Sequence, residues 1–95
     1  MNLGQGTVGG NLVANSNGGA ITQDTTSGNF ITVGGTASIT AGNNSITLNQ
    51  SGNNFTGAVS LSNSGTNNVS VTDTDALTLG TLAIGQDLTV NSTGA

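Results

Sequence analysis

The chain has 95 residues and contains no Lys, Arg, His, Pro or Cys; four Asp side chains set a formal net charge of −4. Without a cation to neutralise phosphate, nucleic-acid binding and attraction to anionic membrane surfaces are excluded; without thiols, so are disulfides and thiolate metal sites. A third of the residues are apolar and only 2% aromatic, a thin supply for an ordinary globular core. The remainder is dominated by Thr, Ser, Asn and Gly. Val, Ile and Thr favour strands and Gly and Asn favour tight corners, which points to an all-β chain of short strands. No run approaches the roughly 18 apolar residues of a membrane span, and MNLGQGTVGG lacks the basic region and apolar stretch of a signal peptide. Any export signal is expected outside this segment.

Taken in order, the strands repeat. TVGGNLVAN (Thr7 to Asn15) aligns with TVGGTASIT (Thr32 to Thr40), keeping the alternation of inward apolar and outward polar residues. Continuing the alignment through Phe55 and Ile84 builds columns: Val8, Val33, Phe55, Ile84; Gly10, Gly35, Gly57, Gln86; Leu12, Ala37, Val59, Leu88; and Ala14, Ile39, Leu61, Val90. A second strand in each copy adds Ile21, Ile46, Val69 and, beside them, Gln23, Leu48, Val71. The corners NSNGG, AGNNS and NSGTNN vary in length while the columns hold, as expected when loops face solvent and the core sets register. A third strand is less regular: Ile31 to Val33, a reduced form around Phe55, then Leu77 to Leu79. That side is expected to carry a bulge or excursion.

A one-sided strand pair of this size cannot bury its apolar face alone, so the copies must stack. The expected fold is a parallel β-helix, or β-solenoid, of about four coils of 22–29 residues, forming one segment over 1–95 with no caps. Residues 1–19 also superpose on 77–95, pairing Leu3 with Leu79 and Leu12 with Leu88. The chain thus reads as one higher-order unit plus the start of the next, within a longer array whose flanking repeats, or other copies end to end, are its partners.

The GG-x-[LVA]-x-[VIL] strands, GAITQ at Gly19 to Gln23, FTGAVSLSNS at Phe55 to Ser64, VSVTDTDALTLG at Val69 to Gly80 and DLTVNSTGA at Asp87 to Ala95 resemble the repeats of filamentous-haemagglutinin-like surface proteins of Gram-negative bacteria. The resemblance covers essentially the whole chain. It implies a right-handed parallel β-helix exported by a two-partner route, serving as the shaft of an adhesin or of a toxin-delivery stick at the cell surface, with host or neighbour-cell glycans as partners.

Candidate sites are few. Asp73 and Asp75 lie two apart, so both project from one face of an extended strand; a glycosidase pair would need about 5–10 Å separation and sugar-holding neighbours, which the sequence lacks. In TDTDAL they read first as turn caps and second as weak calcium ligands. Asp24 and Asp87 are solitary. Phe30 and Phe55 read as packing residues. The Gly-Gly pairs lead into strands without a following Lys, so phosphate-cradle readings fail. Asn-rich corners are expected to form amide ladders along the stack. Outward positions Val13, Ser38, Ser60 and Thr89 are too mixed for an ice-binding face, and Asn-x-Ser/Thr sequons at Asn43, Asn54, Asn68 and Asn91 matter only in a glycosylating host.

The sequence therefore points to a non-enzymatic, cofactor-free extracellular segment acting as a rigid shaft or spacer. The alternatives are a self-assembling extracellular fibre subunit or, more remotely, a glycan- or ice-binding solenoid.

Overall fold

A computed structural model describes residues 2–23 and 29–92, and Asp24 lies outside the described residues. Among these are ten strands and no helix: β1 (Gly6–Val8), β2 (Leu12–Asn15), β3 (Ile31–Val33), β4 (Ala37–Gly42), β5 (Ile46–Leu48), β6 (Asn54–Phe55), β7 (Val59–Asn63), β8 (Val69–Asp73), β9 (Leu79–Ala83) and β10 (Leu88–Ser92). Every strand pair is parallel. Three sheets result, ordered β1-β3-β6, β2-β4-β7-β9 and β10-β8-β5. Over the first three circuits the chain visits the three sheets in the same order, and each strand pairs with its counterpart one coil earlier. This is a β-solenoid of about four turns.

Register follows side-chain alternation. In the second sheet Leu12 lies on Ala37 and Ala37 on Val59, while Ala14 lies on Ile39 and Ile39 on Leu61. In the first, Val8, Val33 and Phe55 stack; in the third, Ile21, Ile46 and Val69 stack, with Leu48 on Val71. A one-residue slip would turn every apolar side chain outward, which is what fixes this register. Ile21, Val33, Ile39, Ile46, Leu48, Val59 and Val69 are fully buried, and burying each Val, Leu or Ile contributes about 1.5–3 kcal/mol.

The last coil departs from the sequence alignment. Ile84 does not lie on Phe55, nor do Leu88 and Val90 lie on Val59 and Leu61. Instead Leu79 pairs with Val59 and Leu82 with Leu61, and β10 joins the third sheet with Leu88 on Val69 and Val90 on Val71. Ile84 follows β9 and packs partly buried against the core. The physical reason lies at Asp73. Its carboxylate accepts the Phe55 N–H at 3.3 Å, the bond a next strand of the first sheet would have made, so that sheet stops after β6. The chain then crosses from Asp73 to Leu79 without a strand there. The irregularity expected on the third-strand side takes the form of this missing strand. Register shifts occur instead in the second sheet, between Thr40 and Gly42 and again where β9 carries one extra residue against Val59 to Leu61.

Candidate functional site

The corners carry most of the side-chain bonding between coils. At the first, glycines stack: Gly34 N–H donates to the Val8 carbonyl, Gly35 to Gly10 and Gly57 to Gly35. A Cβ at Gly57 would lie 2.5 Å from the Gly35 carbonyl oxygen, and one at Gly34 would lie 2.9 Å from that of Gly9. Only glycine lets successive backbones approach this closely. Gln86 is not part of this column; its amide donates to Asn68 Oδ1 at the opposite corner, and Asp87 N–H donates to the same oxygen. Asp87 therefore sits above Asn68 and not above Ala58. Thr89, likewise, lies on Ser70 in the third sheet.

Amides tie the second corner along the axis. Asn44 Nδ2 donates to the Gly18 carbonyl, Asn67 Nδ2 to Asn43 Oδ1 at 2.7 Å, and Asn63 Nδ2 to the Asn44 and Asn67 carbonyls. Asn63 Oδ1 in turn accepts Gly85 N–H. Of the amide ladder expected here one rung forms, Asn67 on Asn43; the other corner amides bond backbone groups, and Asn15 Oδ1 accepts the Asn17 N–H within its own corner.

The strongest polar feature was not singled out from the sequence. Gln23 and Asn53 are buried, at 2% and 0% exposure, and exchange reciprocal amide bonds of 2.9 and 2.7 Å. Asn53 Oδ1 also accepts Ile31 N–H, Asn53 Nδ2 donates to the Leu48 carbonyl, and Gln23 Oε1 accepts Gln50 N–H. Through its carbonyl Asn53 accepts Thr74 N–H as well. The side-chain pair thus links three successive coils, and the Asn53 backbone carbonyl extends the contact to Thr74. Its only sequence signal is Gln23 standing in a column with Leu48 and Val71, a buried polar position that requires a partner.

Asp73 and Asp75 do come together, as a turn. Asp73, fully buried at the end of β8, accepts Asp75 N–H on Oδ1 at 3.0 Å besides Phe55 N–H on Oδ2. Asp75 is exposed, and its Oδ2 accepts the Asn54 amide at 3.1 Å. Both Asp73 oxygens are engaged by backbone N–H groups, which is the capping geometry. Among the described residues no three His, Cys, Asp or Glu side chains cluster. Phe55 is buried in the core, whereas Phe30 is 44% exposed and lies where a Cβ at Gly52 would meet its ring.

On the outer face of the second sheet a groove of about 210 Å³ is lined by Ser38, Thr40, Ser60, Ser62, Thr81 and Ala83 over the backbone of Ile39 and Leu61. Ser60 Oγ is occupied, accepting Thr81 N–H. The groove offers hydroxyls and no titratable or aromatic side chain, so it can form hydrogen bonds but supplies no acid, base or nucleophile activated by one.

The ends of the stack are the remaining surfaces. β1 and β2 at one end, and β9 and β10 at the other, each have one edge without a partner strand. Leu79, Leu82 and Val90 are 38–39% exposed, and Leu3, Val8 and Leu12 are only partly buried. No described helix is long and apolar enough to cross a membrane. A family model described as repeats of unknown function (DUF5649) matches residues 1–62 and 66–95. No curated protein and no solved structure matches the chain.

Proposed function

From the premise that this chain belongs to the DUF5649 family of repeats, we propose that it serves as a rigid spacer in a bacterial cell-surface adhesin or extracellular filament, where its role is to hold whatever lies beyond it at a set distance. The observation that carries this reading is the pair of open ends: apolar columns and unpaired strand edges at both ends of the stack are in position to continue into further coils. Each added coil would extend the rod by about 4.8 Å. Stiffness comes from axial hydrogen bonds, closed at the corners by glycine contacts and amides. The reading contains no catalytic step and no cofactor, and the absence of Lys and Arg, which leaves no trypsin-type cleavage site, suits exposure outside the cell.

Immunogold labelling of intact cells that make the protein tests it. Label at a fixed distance outside the envelope is expected; label confined to the cell interior would overturn the proposal.

A further inference from the structure

Residues 1–19 and 77–95 match in sequence, yet the matched positions do not share a face of the solenoid. Leu12 lies in the second sheet on Ala37, whereas its match Leu88 lies in the third on Val69. Asn15, paired with Thr40 in the second sheet, matches Asn91, paired with Thr72 in the third. Gly9 forms the corner from the first sheet to the second, where a Cβ on Gly34 would meet its carbonyl. Its match Gly85 forms the corner from the second sheet to the third, where its own Cβ would meet the Gly65 carbonyl. From Gly9 to Ser16, each position reappears one sheet further along the path of the chain.

The cause lies in the passage into the second copy. Asp73 takes the Phe55 N–H, residues 74–78 pass the first sheet without forming a strand, and the chain enters the second sheet at Leu79. The two copies then differ in one corner. In the first, the chain turns between Leu3, whose N–H donates to the Thr22 carbonyl beside the third sheet, and β1. That turn uses Gly6 at a φ of 145°, a conformation essentially confined to glycine. Leu82 stands where Gly6 does and does not offer it, so Leu79–Ala83 runs straight through as β9.

We infer that the repeat unit, Gly6 to Thr81, acts as a screw: it makes three and one-third circuits, so each unit of the array begins one sheet further round than the last. On a coil spacing of about 4.8 Å the rise is about 16 Å per unit, and a given face returns after three units, about 48 Å along the rod. Outward features therefore wind about the shaft. What one unit shows on its second sheet, such as the groove of Ser38, Thr40 and Ser62, the next shows on its third. A small partner free in solution reaches every copy of such a feature, whereas a flat surface or a second rod lying alongside meets one copy in three. The inference rests on the array of the spacer reading, but the two fail separately, because a shaft whose units all faced one way would still be labelled outside the cell.

The chain has no Cys, so introduced pairs report position directly. On oxidation of the full chain, Ser70→Cys with Thr89→Cys, partners in the third sheet, should form an intramolecular disulfide as readily as Ser38→Cys with Ser60→Cys, partners in the second. Neighbouring strands at about 4.8 Å fall within the roughly 4.4–6.8 Å that a disulfide spans. Ser60→Cys with Thr89→Cys, the pair an unturned repeat brings together, should form none. A chain lengthened to residues 1–92 followed by 17–95 carries the test into the next unit. Spin labels on both copies of Ser38→Cys should then lie about 25–30 Å apart, on different sides of the rod, against about 15 Å if the units share a face. A disulfide from Ser60→Cys to Thr89→Cys, failure of the Ser70→Cys pair to link, or the shorter label distance overturns the inference.

Discussion

Asn53 shows how much one residue can carry in a core this thin. Truncation to Ala would strand the Gln23 amide, the Ile31 N–H and the Leu48 carbonyl in the interior, and each buried unsatisfied group costs about 1–3 kcal/mol. Asn53→Ala is therefore expected to lower unfolding stability by at least about 3 kcal/mol in urea denaturation. Replacing Gln23 and Asn53 together by Leu should cost less than the sum of the single changes, since the amides satisfy each other; additivity in the double-mutant cycle would show that they act independently. Gly57→Ala tests the opposite problem, excess volume. Its Cβ has no room between coils, and overpacking of this kind costs about 1–3 kcal/mol. The same substitution at Gly10 should be silent in the monomer.

At the scale of strands, what was legible in the sequence was whatever alternation dictates. The columns Leu12–Ala37–Val59 and Ala14–Ile39–Leu61 could be read because three successive strands have the same inward apolar phase between recognisable corners. The fourth coil could not be read in that way. The run ALTLGTLAI from Ala76 to Ile84 offers apolar residues in more than one phase, and an alignment that carries the Phe55 column onward puts Ile84 there. What selects β9 is the Asp73 carboxylate ending the first sheet, an interaction between side chain and backbone that periodicity does not record. Asp73→Ala should expose this: losing two N–H acceptors at a buried turn should cost about 1–3 kcal/mol and raise amide exchange at Phe55 and Asp75 before other sites. The Gln23–Asn53 pair was hidden for a related reason. Its members lie 30 residues apart, and only the buried phase of Gln23 hinted at a partner. Exchange protection should be greatest in β3, β4, β7 and β8, which have strands on both sides, and least in β9 and β10. Equal protection throughout would contradict the coil order.

For the whole molecule, stability in a stacked array is approximately the sum of coil terms and interfaces between neighbours. A tandem dimer of the sequence should then melt at a higher temperature than the single chain in scanning calorimetry, because two end faces become internal. The parallel ladders also fix how the molecule would yield to tension. Held by its two ends, a solenoid is not sheared across its sheets but peeled one circuit at a time, and the circuits are unequal. The last has no strand in the first sheet and only exposed or half-buried apolar side chains, so it should come away at low force. Peeling should then stop where Asn53 holds its neighbours, giving a later, higher peak in a single-molecule pulling trace that Asn53→Ala removes while the early event remains. The amide pair would thus act as a stop, letting the rod lengthen by one circuit under load before the rest is committed to unravel.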